Sequence, residues 1–289
     1  MKLALHADHD RRAYCMIHYI KYKITECGIM KRLIIFVIIG NLLYNFWGTF
    51  KADISVYEAV LLVLSDKLMN NINGSKYIVE MVDYEKKINH NIILRKVTFR
   101  VGAGEICGII GANGSGKSML LKAICGLIVP TKGTIKVFGD EIGINGKMAN
   151  STGFLIEEPG IINKYSAKMN LSIMNGIKKK PDMQRLITVM NEVGLDPECR
   201  KPVRKYSLGM RQKIGIAEAF LDNPSLILLD EPANNLDEPS QINLLNLIRK
   251  YNSHGTTFII TGHQLDFLKQ ICSRILICNK GILTEELHD

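Results

Sequence analysis

Residues 111–118 of this chain read GANGSGKS, preceded by the apolar run 106–110 and followed by a second apolar stretch at 119–121. The spacing G-x-x-x-x-G-K-S between a strand pattern and a helix pattern predicts a phosphate-binding loop. Each residue type has a physical reason to be there. Glycines let the backbone curl until successive N–H groups point inward at phosphate oxygens, and the start of the next helix adds its dipole. Lys117 then reaches the β- and γ-phosphates as a point charge, and the Ser118 hydroxyl is placed for Mg²⁺. The competing reading, a plain glycine turn, fits the strand–loop–helix context poorly. Gly111, Asn113, Gly114, Ser115, Gly116, Lys117 and Ser118 are therefore the nucleotide-binding candidates of this loop.

With 289 residues, 47% hydrophobic and 22% charged, the chain has enough apolar surface for one or two globular domains. The net charge of +9 is weak support for nucleic-acid binding, because much of the excess is local. Residues 1–32 hold Lys2, Arg11, Arg12, Lys21, Lys23, Lys31 and Arg32 against only Asp8, Asp10 and Glu26. The seven cysteines form no C-x-x-C pair, which fits reduced core residues of a cytosolic domain.

Residues 1–76 differ from the rest and are expected to form an extra, helical N-terminal segment. Residues 33–50 are free of charge and just reach the length of a membrane span. A span, a membrane-surface helix and an ordinary buried helix all fit that run. Residues 70–75, NNINGS, read as a linker, so the expected domains are 1–76 and 77–289.

From residue 77 strands and helices alternate. Strands are expected at 77–84, 92–101, 105–110, 133–138, 225–229 and 256–261, with a closing hairpin at 274–279 and 282–285. Helices are expected at 118–127, 168–177, 181–193, 208–221, 241–251 and 265–271. That alternation predicts an α/β fold with a mainly parallel core sheet, an antiparallel N-terminal subdomain and a small helical subdomain near 166–204. The apolar run 226–229 ends in Asp230-Glu231. A buried strand that stops there puts Asp230 where it can hold Mg²⁺ and Glu231 where it can polarise an attacking water. An acidic pair at a strand end is often only a solvated turn; a phosphate loop upstream in the same chain argues for the metal reading.

Residues 77–289 resemble the nucleotide-binding domain of ABC transporters. The distinguishing stretch is Tyr206-Ser207-Leu208-Gly209-Met210, which is similar to the family's LSGGQ signature in the YSLGM form of bacitracin- and lantibiotic-resistance exporters. The resemblance implies that Ser207 and Gly209 grip the γ-phosphate bound to a second subunit. It also places Asp237 in the loop that contacts that subunit and His263 at the switch position beside the γ-phosphate. Two positions depart from the family pattern. Glu157, with Glu158 as its neighbour, stands where a Mg²⁺-contacting glutamine is usual, as in lantibiotic self-immunity transporters. Ile88 stands where an aromatic residue stacks on the adenine.

The resemblance further implies an ATPase subunit using ATP and Mg²⁺, working as a homodimer or beside a paralogue. It would drive a separate transmembrane permease from the cytoplasmic face of the membrane and export peptide antibiotics. Two other classes stay open: a non-catalytic, membrane-tethered module, and a soluble ABC protein of translation or repair.

Overall fold

The computed structural model describes residues 77–144, 146–176 and 182–285. The expected N-terminal domain, with its apolar run at 33–50, lies outside the described residues. No helix among the described residues is long and apolar enough to cross a membrane.

Two sheets carry the fold. The first is antiparallel, in the order β2 (Asn91–Gly102), β1 (Tyr77–Ile88), β4 (Lys132–Val137) and β5 (Asp140–Glu141). The second has six strands in the order β10 (Ile282–Glu285), β9 (Arg274–Asn279), β3 (Ile106–Ile110), β8 (Thr257–Gly262), β7 (Leu226–Leu229) and β6 (Thr152–Leu155). All neighbours in it run parallel except the β9–β10 hairpin.

The helices between them are α1 (Lys117–Cys125), α2 (Ala167–Gly176), α3 (Met183–Glu192), α4 (Leu208–Phe220), α5 (Glu238–Asn252) and α6 (Leu265–Lys269). Their ends follow local chemistry. Asp182, Ser207 and Asp237 each cap a helix by accepting from the backbone N–H three residues on, which satisfies a donor that the helix leaves unpaired.

The central strands β3, β7 and β8 of the six-stranded sheet are buried on both faces, so they read as largely continuous apolar runs. In β7, Ile227 and Leu229 face one cluster with Phe258, Ile260 and the helices α2 to α5. Leu226 and Leu228 face another, with Ile259, Ile109, α1 and the antiparallel sheet. All four β7 side chains have no solvent exposure, and truncating one of them to Ala is expected to cost about 2–5 kcal/mol.

Candidate nucleotide site

Because β3, β6, β7 and β8 run parallel, their carboxyl ends share one rim of the sheet, the usual place for a ligand in such folds. The phosphate loop leaves β3, Glu157 follows β6, Asp230-Glu231 follow β7 and His263 follows β8. The first three border a cleft of about 460 Å³ lined by Asn113, Gly114, Gly116, Lys117, Ser118, Glu157, Glu158, Asp230 and Glu231, with Gln212, Asn234, Asn235 and Ile93 around them, while His263 is outside that lining and meets the site through Glu231.

Gly116 caps α1 at φ 112°, a left-handed conformation that side chains rarely adopt, which explains the glycine immediately before Lys117. The loop is braced from behind by a distant part of the chain. The Ser115 carbonyl accepts from the Gly281 N–H (2.8 Å) and the Cys278 thiol (3.3 Å), both from the β9–β10 hairpin. In turn, the Gly281 carbonyl accepts from the Arg95 N–H (2.8 Å).

Lys117 is almost fully buried. Its Nζ donates to the carbonyls of Gly111 (2.7 Å) and Ala112 (3.1 Å) and lies 3.1 Å from Glu231 Oε1. Glu231 Oε2 accepts from Asn234 Nδ2 (2.6 Å) and lies 3.5 Å from His263 Nδ1. Partial burial works to raise the Glu231 pKa. The bonds from Lys117 and Asn234 and the Lys117 and His263 charges outweigh it, leaving the carboxyl below its ordinary value.

Asp230 is buried; its Oδ1 accepts from Thr261 Oγ1 (2.5 Å) and its Oδ2 from the Glu157 N–H (3.4 Å). Thr261 also binds the next residue, since the Glu231 N–H donates to both Thr261 Oγ1 (3.1 Å) and the Thr261 carbonyl (3.2 Å). Ser118 and Asp230 thus line one cleft with a hydroxyl and a carboxylate. That hard-oxygen set suits Mg²⁺, which binds through one or two carboxylates and takes its other oxygens from water and phosphate. Glu157 has a left-handed backbone (φ 60°), and its carboxylate is engaged by Lys122 of α1 at 2.6 Å.

The remaining candidates are arranged differently. Ser207 caps α4 by accepting from the Met210 N–H (3.2 Å), and Leu208 beside it is 65% exposed. Gly209 packs so closely on the next loop that a Cβ there would lie 2.5 Å from the Asn235 carbonyl oxygen. Neither Ser207 nor Gly209 is among the residues lining the cleft of its own chain. Asp237 caps α5, and its bond from Ser240 lowers its pKa. Ile88 ends β1 exposed, while Ile93 is the aliphatic residue that borders the cleft.

Nothing in the sequence singles out Ile93 or Lys122, and Asn234 and Thr261 figure there only within the stretches that lead to Asp237 and His263. Of these, Thr261 carried a usable signal, a hydroxyl two residues before His263 on a buried strand beside that of Asp230.

Residues 94–234 match the ABC transporter family. An uncharacterized ABC transporter ATP-binding protein of Bacillus subtilis, YybJ, is 35% identical over 71% of this chain and 94% of its own length. The bacitracin transport ATP-binding protein BcrA of Enterococcus faecalis is 32% identical over 74% of this chain and 70% of its own. The lantibiotic transport ATP-binding protein SrtF of Streptococcus pyogenes is 31% identical over 73% and 91%. Among solved structures, an ATP-binding subunit of an ABC transporter is 26% identical, with a TM-score of 0.64 over 71% of this chain and 88% of that one. With a phosphate loop, an acidic strand end and a capped signature helix in one fold, the chain belongs to the ABC transporter family as an ATP-binding subunit with ATPase activity.

Proposed function

We propose that this chain powers an exporter of peptide antibiotics as one half of a head-to-tail dimer that engages a separate permease. The observation that carries the reading is the position of the signature. Ser207 and Gly209 stand at an exposed helix start and do not line their own chain's cleft, which supports a reading in which a second copy supplies them to it. Lys117 and the loop N–H groups hold the phosphates, and Ser118 and Asp230 would hold Mg²⁺, which offsets charge on the triphosphate. Glu231 takes the proton of the attacking water, and His263 orients the γ-phosphate side. Dimer closure and its release are the motions passed to the permease. Similarity to BcrA and SrtF, together with the carboxylate at position 157, supports a peptide-antibiotic cargo. Residues 1–76 are read as an extension whose run 33–50 associates with the membrane.

The test is ATP hydrolysis and Mg-ATP-dependent dimerisation of the full chain beside Glu231→Gln. Slow turnover in the wild type, none in the variant and an ATP-stabilised dimer of the variant are expected. A wild type that binds ATP without turnover or dimer would favour the non-catalytic, membrane-tethered reading.

A further inference from the structure

The cleft's charge poses a problem for its ligand. Glu157, Glu158, Asp230 and Glu231 line it, against Lys117 as the lining lysine, and a nucleoside triphosphate is itself strongly anionic. Asp230 is tied to the buried Thr261 hydroxyl behind the cleft and Glu231 to Lys117 in its lining, so both of those carboxylates have partners. Glu157 takes its partner from outside the lining: Lys122 Nζ stands 2.6 Å from Glu157 Oε1. Lys122 lies in α1, the helix that begins at Lys117, and its side chain is 25% exposed against 60% for Glu157. The same glutamate donates its N–H to Asp230. Its backbone is thereby fastened to the β7 acid and its side chain to the phosphate-loop helix.

We propose that Lys122 is a positioning residue for nucleotide binding, neutralising Glu157 and holding its carboxylate against α1 so that it does not repel the triphosphate. A carboxylate at this position is compatible with an anionic ligand because the lysine is there. This rests on the nucleotide reading of the cleft. A charge-neutralising role differs from a merely structural one in two ways: salt should screen it, and it should vanish once residue 157 carries no charge.

The full-length chain is titrated with fluorescent trinitrophenyl-ATP, first with magnesium and then in excess EDTA, where no turnover intervenes. Lys122→Met and Lys122→Gln are each expected to raise the Kd about fivefold at low salt. Lys122→Arg should stay within about twofold of wild type, because it keeps the charge. At about 0.5 M salt the loss should shrink below about twofold. In a Glu157→Gln background, adding Lys122→Met should change the Kd by less than about twofold. A Kd in Lys122→Met equal to or below that of wild type overturns the inference. So does a loss that persists undiminished in the Glu157→Gln background. Wild type failing to bind the analogue even with magnesium would instead overturn the nucleotide reading itself.

Discussion

Lys117 Nζ lies 3.1 Å from Glu231 Oε1, so the phosphate-loop cation and the strand-end carboxylate are paired with each other. The pairing holds the carboxylate ionised and weakly basic, since its pKa is depressed. A γ-phosphate that draws Lys117 away would raise the basicity of Glu231 as the substrate arrives. Glu231→Gln should therefore bind ATP and lose about 100-fold or more in turnover. The depressed pKa also has a stability effect. Because the folded-state pKa is lowered, the contribution is present above the ordinary carboxylate pKa and is lost as pH falls through the folded value. In urea unfolding, wild type should thus lose ground relative to Glu231→Gln on acidification from neutral pH to about pH 3.

Asn234 holds the other Glu231 oxygen at 2.6 Å. Removing a bond to a charged group should cost orientation more than binding. Asn234→Ala is expected to lower kcat about tenfold, with nucleotide Kd within about twofold of wild type. Steady-state kinetics beside equilibrium titration separates the two; a change in Kd alone contradicts the assignment.

At Gly209 a methyl group would sit 2.5 Å from the Asn235 carbonyl, a backbone atom that cannot swing away. Gly209→Ala should displace the start of α4 from the loop after Glu231. The expected result is loss of the ATP-induced dimer in light scattering, while a single chain still binds nucleotide. An unimpaired dimer would show that this close packing is not needed for assembly.

Glu218 on α4 is pushed up to about 7 by burial. Its folded pKa exceeds its unfolded one, so the folded chain binds more protons and stability falls as pH rises from about 4.5 to 7. Glu218→Gln should remove about 1–3 kcal/mol of that decline. Urea midpoints at pH 5 and pH 8 check it; equal pH dependence in the two proteins would contradict it.

Where an apolar run or a turn signal marks an element, the sequence is readable. The β9–β10 hairpin runs Arg274–Asn279 and Ile282–Glu285, as its apolar runs and Lys280-Gly281 turn predict, and β7 begins one residue late. Elements defined by partners are not. β6 (Thr152–Leu155) is a four-residue edge strand paired only with β7, and the sequence reads there as the approach to Glu157. β5 (Asp140–Glu141) is two exposed acids in what reads as a turn. The helix expected at 241–251 starts at Glu238, because Asp237 caps it and Pro239 is tolerated in the first turn. The motifs at Lys117, Ser118, Asp230 and Glu231 lie far apart in sequence and meet at one cleft. The contacts Lys122–Glu157 and Thr261–Asp230 are not legible in the sequence: the first depends on how α1 packs beside the loop after β6, the second on the β7–β8 register, and no local pattern encodes either.

The bracing of Ser115 by Cys278 and Gly281 has a consequence for how the protein comes into being. Synthesis runs from the N-terminus, so a ribosome has released the whole phosphate loop long before the hairpin that supports it. Until residue 281 leaves the exit tunnel, the loop has the right letters and no back wall. ATP affinity should therefore arrive late and abruptly during translation, and a growing chain stalled before the hairpin should be blind to nucleotide.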